Sequence, residues 1–206
     1  MTYGTGDICN FRDIGSHGLV VFERDGTLLK TKRPSEDLAL SDLNHPLICV
    51  LSRFRSRGIR YGFFSDDRGM DAGRRGRVAA SALVTLIDAI LRADNAEPDF
   101  WMAVPISKLT RGENAQKVRQ HSNSASMLRR AIDWYGIEKQ KVVLVCSSPV
   151  FTHAANALGV STIHYSASSL SRDEGGAADL PETQRVENFV KLSLGSTANI
   201  CDTPIC

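Results

Sequence analysis

Short, wholly apolar runs alternate with amphipathic stretches along most of this 206-residue chain, and that alternation constrains the fold more than any other feature. The first run, Leu19-Val20-Val21-Phe22, is too continuous for a half-exposed strand and reads as a strand buried on both faces. Asp25-Gly26-Thr27 ends it with turn chemistry. From Pro46 to Arg57, Leu47, Val50, Leu51 and Phe54 share one helical face, and Gly58 closes that helix. Residues 59–64 predict a second strand. Residues 78–91 predict an amphipathic helix with Leu83, Leu86, Ile87, Ile90 and Leu91 on one face. Strands follow at 100–104, 141–146 and 161–165, and helices at 124–135, 150–158 and 182–192. Gly136 and Gly159 end the first two of these helices.

This pattern implies a three-layer α/β/α, Rossmann-like fold with a mostly parallel central sheet and right-handed crossovers. Residues 1–17 read as a polar lead-in, 18–166 as the domain, and 167–206 as a loop, a terminal helix and a polar tail. Ligands of such sheets bind beyond the carboxyl ends of the strands. The segments to search are therefore 23–27, 65–70, 105–126 and 147–151.

Composition removes other classes. Hydrophobic residues make up 42% and charged residues 23%, and a chain of this length buries a full core without a disulfide or metal staple. The net charge of +2 gives no argument for nucleic acid. No apolar run approaches the ~20 residues of a spanning helix, so no membrane association is expected. The five cysteines are odd in number, irregularly spaced and form no CxxC pair, as expected of reduced thiols in a cytoplasmic protein.

The chemistry concentrates at the strand ends. The first strand runs into Glu23-Arg24-Asp25-Gly26-Thr27-Leu28, placing two carboxylates two residues apart before a glycine turn. This resembles the first motif of the haloacid dehalogenase (HAD) superfamily of phosphohydrolases: four apolar residues, then Asp-x-Asp-Gly-Thr. The arginine between the acids is similar to subfamily IIIA, the branch of histidinol-phosphate phosphatase and D,D-heptose 1,7-bisphosphate phosphatase. The second strand ends in Ser65-Asp66-Asp67-Arg68-Gly69, where the branch has Thr-Asn-Gln-Ser-Gly. Met127-Leu128 matches the end of its Lys-Pro-x-Pro-Gly-Met-Leu motif, whose lysine falls on Ser122. Val142 through Val160 matches the strand, loop and helix carrying Gly-Asp-Ser and a second Asp. Those positions are Cys146, Ser147 and Ser148, and Phe151.

The resemblance covers residues 18–165 and implies roles. Glu23 stands at the nucleophile and Asp25 at the general acid/base. Thr27, Ser65, Asp66 and Ser122 stand at phosphate contacts. Glu23, Asp25 and Ser147 stand at the magnesium site. It also implies a sugar-phosphate or amino-alcohol phosphate as ligand.

The departures are as informative as the match. The extra methylene of Glu23 shifts the carboxylate by ~1.5 Å, and a ~1 Å misplacement can cost ~100-fold in rate. Ser122 lacks the charge that stabilises a transferring phosphoryl group, an effect of several kcal/mol. Ser147 is neutral where a hard cation wants an anionic oxygen. The branch's zinc loop has no counterpart, because Trp101 to His121 contains no cysteine and only His121, so no zinc is expected. The expected function is a phosphatase homologue with weak or lost activity and a binding role toward a phosphate ester or a protein partner.

Other readings stand beside this one. An active magnesium-dependent phosphomonoesterase would use Glu23 and Asp25. A register with Asp25 as nucleophile and Thr27 two residues on would be similar to P-type ATPases. Glu23, Asp25, Asp66 and Asp67 form either a cation site or a mutually repelling cluster countered by Arg24 and Arg68. The eight arginines from Arg53 to Arg77 form either a polyanion-binding patch or a solvated face. His121, His153 and His164 have no metal-ligand spacing. Cys146 reads as a small core residue rather than a reactive thiol.

Overall fold

In the computed structural model, which describes residues 8–30, 39–65, 74–103, 113–167 and 181–195, the run Leu19–Phe22 forms the centre of the sheet. It belongs to β2 (His17–Glu23), and all four of its residues are fully buried. The other strands are β1 (Ile8–Phe11), β3 (Ile59–Ser65), β4 (Phe100–Ala103), β5 (Val142–Cys146) and β6 (Ser161–His164). Their order across the sheet is β1-β4-β3-β2-β5-β6. Every pairing is parallel except that of β1 with β4. The helices are α1 (His45–Ser56), α2 (Arg74–Ala93), α3 (Glu113–Tyr135), α4 (Pro149–Leu158) and α5 (Glu182–Leu194).

Alternation along the strands makes three layers. Val20 and Phe22 of β2, Tyr61 and Phe63 of β3, and Val143 and Val145 of β5 face one cluster, which holds Leu47 and Val50 of α1, Ile87 of α2 and Val186 of α5. Leu19, Val21, Leu144 and Cys146 face the other, with Met127 and Leu128 of α3 and Phe151 of α4. Leu19–Phe22 of β2 and Val142–Cys146 of β5 carry side chains on two buried faces, which is why those runs are continuously apolar. Gly62 lies where β3 and β4 meet: a Cβ there would stand 2.3 Å from the ring of Phe100. Helix ends follow their signals. Asn44 caps α1 through Leu47 N, and Gly58, Gly136 and Gly159 take positive φ after α1, α3 and α4.

Three expectations are corrected. The lead-in contains strand β1, a four-residue edge whose pattern is too short to read. The helix expected at 78 begins at Arg74. The helix expected at 124 begins at Glu113, so much of the segment sought as a strand-end loop is helical. Residues 113–123 contain a single large apolar residue, Val118, so hydrophobic periodicity cannot detect the turn. The loop expected after Ser166 lies from 168 to 180 outside the described residues.

The terminal helix is part of the core. Val186 and Val190 are buried, and Glu187 receives Arg53 at 2.8 Å, Arg57 at 2.7 Å and Lys191 at 3.2 Å. Burial raises the Glu187 carboxyl, but the Arg53 and Arg57 hydrogen bonds and Lys191 outweigh it, taking it from 4.5 to about 2. The unfolded chain therefore takes up this proton first as pH falls. The stability Glu187 contributes is complete above pH ~4.5 and is lost as pH falls toward about 2. In urea titrations, the stability gap between wild type and Glu187→Gln should be constant from pH 7 to 5 and close between about pH 4.5 and 2. A gap independent of pH would refute the ion-pair network.

Candidate functional site

The sheet reverses its strand order at β2, which lies between β3 and β5. In such sheets the crevice forms beyond the carboxyl ends at that point. Glu23 ends β2 and pairs in register with Phe64. Ser65 ends β3, and Cys146 ends β5. The chain then turns through Arg24–Leu29. Arg24 N donates to Phe64 O at 2.8 Å, and Leu28 N and Leu29 N return to Arg24 O at 3.1 and 3.0 Å. Gly26 takes φ +88°, a conformation that other residues adopt only with strain.

Glu23 points across the sheet end to α4. Its Oε2 accepts Ser147 N at 2.7 Å, Ser148 N at 2.9 Å and Ser147 Oγ at 3.2 Å. The three residues are 5%, 4% and 7% exposed. Asp25 turns the other way. Its oxygens accept Arg24 Nε at 2.9 Å and Arg24 Nη2 at 3.0 Å, a two-point fork with a buried guanidinium. The pair is a buried ion pair at 2.9 Å. Ser147 Oγ lies between the two residues, 3.2 Å from Glu23 Oε2 and 3.3 Å from the carbonyl of Asp25.

Thr27 is fully buried, and its hydroxyl donates to the carbonyl of Glu23, stitching the turn. Ser65 is buried at the tip of β3. Asp66 and Asp67 lie outside the described residues. Ser122 falls within α3, but its side chain lies outside them. Phe151 is 1% exposed, with its ring centroid 4.2 Å from that of Phe64. The position of the second acid is thus part of the core.

Two residues the sequence does not single out also shape the site. Asn44 Nδ2 donates to Thr27 O at 2.9 Å and to Tyr165 Oη at 2.5 Å. Ala167 N donates to Gly26 O at 2.9 Å. Together they pin the turn from outside. Burial pushes the Tyr165 hydroxyl up to about 12 despite the Asn44 hydrogen bond, so it stays neutral. The signal for Asn44 was its place before the helix at Pro46; its second role needs the fold.

Among the described residues, the donors gathered at Glu23 do not fit a hard divalent cation. The Glu23 oxygen that faces β5 and α4 is surrounded by N–H and O–H donors, whose positive ends would face the cation. Ser147 contributes no charge, and Phe151 no oxygen. Among the described residues no group of three or more His, Cys, Asp or Glu side chains could hold a metal. Cys146 is buried and its thiol lies 3.3 Å from Thr152 Oγ1. Burial, and to a lesser degree the charge of Glu23, push that thiol up to about 11 against the lowering by Thr152, which suits a core residue.

The four described arginine side chains of the stretch are each paired within the fold. Arg53 and Arg57 hold Glu187, Arg55 holds Asp99 at 2.8 Å, and Arg60 holds Asp13 at 2.7 Å and covers the ring of Tyr135. Arg68 and the side chains of Arg74, Arg75 and Arg77 lie outside the described residues.

No family model and no curated protein sequence matches the chain. A solved structure does. It is a Mesorhizobium loti protein described as a HAD-like phosphatase, with a TM-score of 0.67 and 14% identity. The match covers 96% of this chain and 99% of that one. At that identity the likeness is one of fold. The chain has the HAD-like fold, with a mostly parallel six-stranded sheet between layers of helices.

Proposed function

We propose that this HAD-like chain descends from a phosphatase but no longer carries out metal-dependent phosphoryl transfer, and that its crevice serves as a binding site for a phosphate ester such as a sugar phosphate or amino-alcohol phosphate. The observation that carries this reading is the state of Glu23. In metal-dependent transfer a nucleophilic carboxylate gives one oxygen to phosphorus and the other to the cation, whereas Oε2 of Glu23 already accepts three N–H and O–H donors in a buried junction. The Arg24 fork on Asp25 and the packing of Phe151 agree with it. Among the described side chains of the arginine stretch, Arg53, Arg55, Arg57 and Arg60 are each paired within the fold, which gives the polyanion reading no support from them.

The test is phosphate release from D,D-heptose 1,7-bisphosphate, histidinol phosphate and an aryl phosphate, with and without magnesium. The natural protein should stay at background. A Glu23→Asp/Ser122→Lys/Ser147→Asp variant should gain magnesium-dependent turnover. Magnesium-dependent release by the natural protein that disappears in Asp25→Asn would overturn the proposal and restore the active-enzyme reading. Calorimetry with the same esters, without metal, tests the binding role; absence of heat from all three would remove it.

A further inference from the structure

We infer that Glu23 is an internal anion that locks the tip of β2 to the N-terminus of α4 and holds that junction shut without a divalent cation. The inference rests on the reading of Glu23 just given and assigns the residue a task of its own.

Helix α4 begins with an unmet need. Its N-cap is Ser148, whose side chain makes no capping hydrogen bond, and Pro149 follows at once. The Ser148 amide at the N-cap and the Ser147 amide just before it stand at the positive end of the helix dipole and need an acceptor from outside the helix. Here the acceptor comes from a residue 124 and 125 positions away in sequence. The Glu23 carboxylate reaches over from the central strand and takes the Ser147 and Ser148 amides together with the Ser147 hydroxyl. All three residues are more than nine-tenths buried, so water does not readily replace the carboxylate.

Side-chain length matters to the contact. An aspartate would withdraw the carboxylate by ~1.5 Å, past hydrogen-bond reach of amides that now lie at 2.7 and 2.9 Å. The glutamate that misplaces a nucleophile is the residue that completes the lock. Charge matters as well, since an ionised acceptor makes the stronger bond to a backbone N–H. Closing this edge of the crevice is then a property of the chain alone.

Thermal unfolding of the full chain decides the matter. Millimolar magnesium should leave the Tm of the natural protein unmoved. Glu23→Ala should unfold roughly 5 °C lower or more, with Glu23→Gln between the two. Formate, a free carboxylate small enough for the space the side chain leaves, should recover part of the loss in Glu23→Ala. It should do nothing for the natural protein or Glu23→Gln.

A rise in the natural protein's Tm with magnesium would overturn the inference. So would a Glu23→Gln protein as stable as the natural one, or a Glu23→Ala protein that formate leaves unmoved. If Glu23→Ala does not fold, the magnesium titration and Glu23→Gln still decide. The proposed function fails separately. Phosphate release without a magnesium shift in Tm would defeat that proposal and leave the lock standing. A magnesium shift without release would do the reverse.

Discussion

A Phe151→Asp variant should lose nearly all of its stability. Residue 151 is where the resemblance places the second acid of the metal site, so the substitution restores a catalytic residue on paper. In the fold it removes a ring that is 1% exposed and packed on Phe64 with centroids 4.2 Å apart. The same cluster contains Met127, Leu128, Cys146 and Ala155. Deleting a buried phenylalanine costs ~3–5 kcal/mol, and burying an unpaired carboxylate adds several more before it takes up a proton. Against a total of ~5–15 kcal/mol, little remains. Far-UV circular dichroism during urea unfolding measures this, with Phe151→Leu as a control expected to cost ~1.5 kcal/mol or less. A Phe151→Asp protein with an unchanged urea midpoint would show that this end of the crevice is open rather than packed. The expected collapse would mean that the departure at 151 is built into the α3–α4 face of the core, and that a restored site must leave it alone.

The parts of the fold legible in the sequence are those where one segment carries its own signal. Leu19–Phe22 announced a strand covered on both sides because no polar residue interrupts it. Gly58, Gly136 and Gly159 announced helix ends because each takes the positive φ that follows a helix and that glycine adopts without strain. Strand β1 gave no such signal, since four residues at a sheet edge show too short a pattern. The first turns of α3 gave none because they have almost no apolar stripe. The candidate site divides the same way. Glu23, Ser147 and Phe151 could be seen to depart from a family pattern one at a time. That the departures fit one another, with the longer acid at 23 taking the amides of 147 and 148 and an aromatic ring at 151 filling the core, depends on contacts more than a hundred residues apart. The pairing of the arginines from 53 to 60 was hidden in the same way: their partners, Glu187, Asp99 and Asp13, are distant in the chain.

Asp99→Ala should be the other severe substitution, at the opposite end of the sheet from the crevice. Asp99 is fully buried and directly precedes β4. Its Oδ1 accepts Ile14 N at 2.8 Å and Gly15 N at 2.6 Å, and its Oδ2 accepts Tyr61 N at 3.0 Å and Arg55 Nη2 at 2.8 Å. One carboxylate thus joins the β1–β2 connection, β3 and α1. Breaking a buried ion pair from one side costs ~3–5 kcal/mol because it leaves the other charge unmatched. Three backbone amides would also lose their acceptor, each a loss of ~1–3 kcal/mol where water cannot enter. The losses overlap, so a total of about 4 kcal/mol or more is the expectation, equivalent to a Tm lower by about 10 °C or more in a chain of this size. An asparagine in its place would keep an acceptor but turn an N–H₂ toward donors, so Asp99→Asn should recover only part of the loss. Arg55→Ala, which leaves the carboxylate its three amides, should cost less than Asp99→Ala. The double variant should fall short of the sum, because the pair is shared. If Asp99→Ala and Arg55→Ala prove equal and additive, the carboxylate is not the hub the geometry describes. A strongly destabilised Asp99→Ala whose folded fraction matches the natural protein in calorimetry with the phosphate esters would show that stability and the crevice are built at opposite ends of the same strands.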